Sequence, residues 1–100
     1  MLKIINDKGF QLTFDNKLTI SVMFGSGNYC SNKNTDFKTN GLCRTTESEN
    51  AEIAIWDKDD NWFDFECDVV KGWVKTNEIG EWIVKVKNAT DLNSIKTPIL

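Results

Sequence analysis

Apolar and polar positions alternate with a period of two over the first quarter of the chain. Phe10, Leu12 and Phe14 fall on one side of an extended strand, and Leu18, Ile20, Val22 and Phe24 on one side of the next. Asp15-Asn16-Lys17 supplies a hairpin turn between them, and Leu2 to Ile5 reads as an earlier strand closed by the turn signal Asn6-Asp7-Lys8-Gly9. The pattern predicts an antiparallel meander. Alternation resumes from Glu52 to Trp56, crosses a turn at Asp57-Lys58-Asp59-Asp60-Asn61 and returns from Trp62 to Val69. On the return strand Phe63, Phe65, Cys67 and Val69 would face the core, with Trp62, Asp64, Glu66 and Asp68 facing water.

Beyond Val70-Lys71-Gly72-Trp73-Val74 the period changes. Ile79, Trp82, Ile83 and Val86 stand at i, i+3, i+4 and i+7, which predicts a helix from Asn77 to about Asn88. Thr76 is its expected N-cap, and Glu78 in the first turn suits the helix dipole. Gly80 and the β-branched residues keep a strand through Trp82-Ile83-Val84-Lys85-Val86 open as the alternative. The tail 91–100, with Pro98 near its end, is expected to fray. The expected fold is α+β: a mainly antiparallel sheet of about five or six strands with one C-terminal helix packed on it.

The 100 residues fit one domain spanning 1–100. The apolar pattern lapses from about residue 25 to 50 into a long polar loop of Gly, Ser, Asn, Thr and Lys, and loops of that length in small domains are usually functional or disordered. No apolar stretch approaches the roughly 20 residues that span a bilayer, and the Met1-Leu2-Lys3 start lacks a signal-peptide core. Cys30, Cys43 and Cys67 form an odd set without Cys-x-x-Cys spacing, which favours a reducing compartment and a cytoplasmic location; a Cys30–Cys43 pair across the loop stays open.

The net charge of -3 conceals a strong asymmetry. Residues 1–46 carry +3, residues 47–68 carry nine acids against Lys58 alone, or -8, and residues 69–100 carry +2. A nucleic-acid binder wants a basic patch, so direct nucleic-acid binding is disfavoured.

Catalytic chemistry finds little support. There is no His, which removes the commonest general base and the commonest zinc ligand. Asp57, Asp59, Asp60, Asp64, Glu66 and Asp68 read as exposed and so lack the burial that tunes a catalytic carboxyl. Residues 57–61 match the first positions of a calcium loop and Asp68 the twelfth, but Trp62 replaces the required Gly and strands flank it, so an acidic turn is the better reading. Three Cys and a carboxylate could be part of a zinc site, yet Cys67 on a core face behaves as a small hydrophobe. Neither enzyme activity, a metal nor a cofactor is expected.

Two binding constellations remain. Gly25-Ser26-Gly27-Asn28 offers a backbone nest for phosphate, and the same loop holds Arg44, Lys33 and Lys38 for phosphate, Tyr29 for stacking, and Asn28 and Asn32 for base or ribose hydrogen bonds. Solvated loop residues are the plain alternative. The second constellation is the acidic face, with Asp57, Asp59, Asp60, Asp64, Glu66 and Trp62. Trp56 and Trp62 flank one turn and are placed to anchor a partner from the outer sheet face.

The run Gly27-Asn28-Tyr29-Cys30-Ser31-Asn32, with Ala51-Glu52-Ile53-Ala54-Ile55-Trp56-Asp57, Trp62-Phe63 and Val70-Lys71-Gly72-Trp73, resembles a family of small proteins encoded by tailed bacteriophages. The likeness spans roughly residues 10–88 and fixes no function by itself. What it implies is context: host takeover or counter-defence in the cytoplasm of a bacterial host. Eleven Lys to one Arg, with eleven Asn, agree with an AT-rich genome. In that context the first expectation is a homo-oligomeric binding protein that sequesters a small nucleotide immune signal without cleaving it. The second is an inhibitor that docks its acidic face on a basic host protein.

Overall fold

A computed structural model describes residues 1–5, 8–25, 47–66 and 68–95 of the chain. Five strands form one sheet in sequence order, β1 (Leu2–Ile5), β2 (Gly9–Thr13), β3 (Thr19–Met23), β4 (Asn50–Trp56) and β5 (Lys71–Lys75). Every neighbouring pair is antiparallel. Among the described residues one α-helix, α1 (Thr76–Asn88), follows β5 without a linker and is succeeded by a short 3-10 turn at Leu92–Ser94. This is the α+β arrangement that the two periodicities predict.

Alternation sorts the sheet into two faces. Leu18, Ile20 and Val22 from the β3 segment, Ala51, Ile53 and Ile55 of β4 and Val74 of β5 turn toward α1 and are buried with Trp82, Val86 and Ile95. Full burial of one such aliphatic side chain is worth about 1.5–3 kcal/mol, so this cluster is the main source of cohesion. The helix meets β3, β4 and β5 and stops short of β1. Leu2 and Ile4 on that edge strand accordingly remain 60% and 74% exposed.

The β2–β3 turn joins the helix to the meander. Asn16 Oδ1 accepts from the Leu18 N–H at 3.0 Å, which closes the turn, while its Nδ2 donates to the carbonyls of Val86 at 2.8 Å, Ala89 at 2.7 Å and Lys87 at 3.3 Å. One side chain thus caps the C-terminal end of a helix 70 residues away, where carbonyls lack intrahelical donors. Lys17, with φ of 71°, takes the left-handed position that completes the three-residue loop.

Four expectations change. The segment Trp62 to Val69 forms no return strand: Trp62 bridges Trp56 and the Phe63 N–H donates to the Ile55 carbonyl, but Phe65 then bonds Asp68 in a turn and Glu66 adopts φ of 83°. The remaining edge of β4 is taken by β5 instead. Inside and outside nevertheless alternate through the first half of this segment, with Phe63 and Phe65 half-buried against Trp82 and Trp62, Asp64 and Glu66 exposed. Val69, expected in the core, is exposed because the chain has left the sheet. Thr76 is the first helical residue and not the N-cap; Lys75 holds that place with no side-chain cap, because β5 runs straight into the helix. Residues Asp91 to Ile95 do not fray, since Asp91 and Ser94 form a reciprocal capping box and Ile95 is buried. The helical period prevails over the alternative strand at Trp82 to Val86.

The Asn6-Asp7 half of the first turn, the Gly25 to Asn28 nest beyond Gly25, the Cys30–Cys43 pair, Cys67 and the last five residues lie outside the described part.

Candidate interaction surface

The face of the sheet opposite α1 carries the second constellation. Trp56 pairs with Thr19 across β3, and its neighbours Ile55 and Ile53 alternate inward, so the indole stands on the outer face. Trp62, opposite Trp56 in an antiparallel bridge, shares that face. The two rings lie 4.9 Å apart at 32°. Such tilted, close aromatic pairs add about 0.5–1.5 kcal/mol beyond burial, which holds Trp62 in place while leaving it 46% exposed.

The turn between the two tryptophans is organised by one carboxylate. Asp57 Oδ1 accepts from the backbone N–H groups of Asp59 and Asn61, each at 2.9 Å, and Oδ2 accepts from Asn61 Nδ2 at 3.0 Å. The backbone and side-chain hydrogen bonds from Asn61 hold the Asp57 carboxyl below its ordinary 3.8, with smaller help from Asp59 and Lys58 against slight desolvation. Asp60 sits at φ of 62°, a left-handed position that Asp tolerates better than most residues. Asp57 is therefore a structural member of the turn, whereas Asp59, Asp60, Asp64 and Glu66 are exposed and free to shape the field outside it. Among the described residues no group of three or more metal-capable side chains converges.

Asn28, Tyr29, Asn32, Lys33, Lys38 and Arg44 all lie outside the described residues, so the nucleotide constellation has no geometry to set beside this one. An open groove of about 1000 Å³ runs along the far side of α1, lined by Thr76, Gly80, Glu81, Val84 and the Thr90 to Ser94 turn. Glu81 Oε2 is buried there without a hydrogen-bond partner, and so offers no surface to a ligand in the groove.

One outer-face residue was not singled out by periodicity. Trp73 adopts φ of 58° within β5 and is 51% exposed. Ala51 pairs with Val74 and Ile53 with Lys71, which leaves Gly72 and Trp73 opposite the single residue Glu52: a β-bulge. The signal in the sequence is Gly72, since a glycine inside a strand pattern marks such irregularities.

No known protein family, curated protein or solved structure matches the chain.

Proposed function

We propose that this is a non-catalytic binding protein that docks its acidic outer face onto a basic patch of another protein. The observation that carries the reading is Trp62, half-exposed on Trp56 and flanked along the chain by the exposed carboxylates of Asp59, Asp60, Asp64 and Glu66. A large aromatic ring fixed by its neighbours supplies contact area at small entropic cost, and the surrounding charge supplies steering and selectivity. For a phage-encoded chain, which the resemblance implies, the partner is a host factor whose basic surface ordinarily meets nucleic acid. No helix among the described residues is long and apolar enough to cross a membrane, in keeping with a partner met in solution.

The test compares wild type with the quadruple variant Asp59→Asn, Asp60→Asn, Asp64→Asn, Glu66→Gln, which leaves the structural Asp57 intact. Partner capture from bacterial lysate should be lost in the variant. Association of the identified partner with wild type should slow about tenfold or more as salt rises from roughly 50 to 500 mM. Capture that survives neutralisation, or association indifferent to salt, would overturn this role. A stoichiometric nucleotide released from the natively purified protein would replace it with sequestration.

A further inference from the structure

We propose that the open edge of β1 docks an extended segment of a partner protein, which pairs antiparallel with the strand and carries an acidic residue between two apolar ones. This edge is separated from β4 and its tryptophan by β2 and β3, so it is a surface apart from the acidic face.

The register decides which groups the edge presents. Met1 and Thr13 exchange both backbone bonds: the Met1 amine donates to the Thr13 carbonyl at 2.6 Å and the Thr13 N–H to the Met1 carbonyl at 2.9 Å. In an antiparallel ladder such bonded pairs alternate with non-bonded ones. Lys3 and Ile5 therefore turn their N–H and C=O toward β2, while Leu2 and Ile4 turn theirs away from it. Among the described residues no strand lies on that side, so Leu2 and Ile4 offer a donor and an acceptor each, at the spacing a further strand requires. Their side chains share a face with Leu12 and Phe10, the residues opposite them, which pack against the core. Both stay exposed and continue that apolar face outward.

Charge selects the occupant. Lys3 is exposed on the other face, where the residue across from it on β2 is Gln11 and the diagonal ones are Gly9 and Thr13, none of them charged. A second copy fits poorly. Two-fold pairing that uses both Leu2 and Ile4 sets Leu2 against Ile4 and Lys3 against the same lysine of the other copy, in a non-bonded pair where side chains stand closest. Lys3 thus opposes the self-pairing that an open edge invites. A segment with Asp or Glu at that position turns the repulsion into attraction, and apolar residues on either side of it lie against Leu2 and Ile4. Main-chain bonds supply the hold, and Lys3 the selection.

The probes are acetyl-Thr-Val-Glu-Val-Thr-amide and acetyl-Thr-Val-Lys-Val-Thr-amide, titrated to millimolar concentration into isotope-labelled protein and followed by amide resonances and hydrogen exchange. The expected result is that the Glu peptide shifts the Leu2 and Ile4 amides, slows their exchange, and binds about fivefold more tightly than the Lys peptide. Lys3→Glu should reverse that preference. Ile4→Pro removes an edge-facing N–H at the kind of strand position where Pro is tolerated, so the fold survives and peptide binding is lost. Leu2 and Ile4 amides unmoved by both peptides, or equal affinity for the two, would overturn the inference. So would a free protein that is dimeric by native mass spectrometry with those amides already protected, since a second copy would then hold the edge. The quadruple variant of the acidic face leaves β1 untouched, so the two proposals stand or fall separately.

Discussion

Replacing Asn16 should unfasten the helix from the meander. In Asn16→Ala the Val86 and Ala89 carbonyls lose good donors and the Leu18 N–H loses its acceptor. Each such hydrogen bond contributes about 0.5–1.5 kcal/mol net, so three of them, partly buried, amount to roughly 2–4 kcal/mol. That is a large share of the ~5–15 kcal/mol stability of a small domain, and at about 4–8 °C per kcal/mol it lowers the melting temperature by roughly 8–32 °C. Asn16→Asp is the sharper variant. It keeps the oxygen that accepts from Leu18 but turns a charge toward the carbonyls at the negative end of the helix dipole, so at neutral pH it should be less stable than Asn16→Ala. The folded state raises the pKa of the introduced carboxyl, so the deficit is full at neutral pH and shrinks as pH falls through that raised value, where the protonated acid can donate. Urea titrations followed by tryptophan fluorescence, with buried Trp82 reporting on helix docking, measure both variants. A loss below about 0.5 kcal/mol for Asn16→Ala, or a carboxylate variant as stable as wild type at neutral pH, would refute the idea that this side chain ties α1 to the sheet.

Two glycines should respond in opposite directions. A Cβ on Gly9 would meet the Val22 carbonyl oxygen at 2.1 Å, with φ already at +156°, so Gly9→Ala should cost more than about 2 kcal/mol in denaturant titration. Gly80 has nothing within 4 Å of that position, so Gly80→Ala should gain about 0.5–1 kcal/mol from helix propensity. The lowered pKa of Asp57 means that its contribution is present above the ordinary value of 3.8 and is lost as pH falls through the lower folded value. Asp57→Ala should therefore flatten the acid limb of the stability profile below pH 4, and an unchanged limb would show that the turn does not depend on this carboxylate.

Local sequence was sufficient for much of the fold because its signals were local. Period-two alternation marked β1 to β4, and the i, i+3, i+4, i+7 spacing of Ile79, Trp82, Ile83 and Val86 prevailed over the β-branched composition of α1. It also placed Trp56 and Trp62 on one side of an acidic turn, because a hairpin fixes the facing of the residues it brings together. Other features depended on competition or distance. Trp62 to Val69 and Lys71 to Lys75 both carry strand-like patterns, and β4 has one remaining edge. Which segment occupies its first half was decided by Phe63 and Phe65 packing on Trp82, and by β5 running directly into a helix that must lie over the core. The cap that Asn16 provides to residues 86 to 89 has no local signature, since the partners are carbonyls, which every residue possesses. The same holds for Trp73: its side chain is written in the sequence, but its position opposite Glu52 arises from a bulge, and a bulge exists only once two strands have paired with an extra residue in one of them.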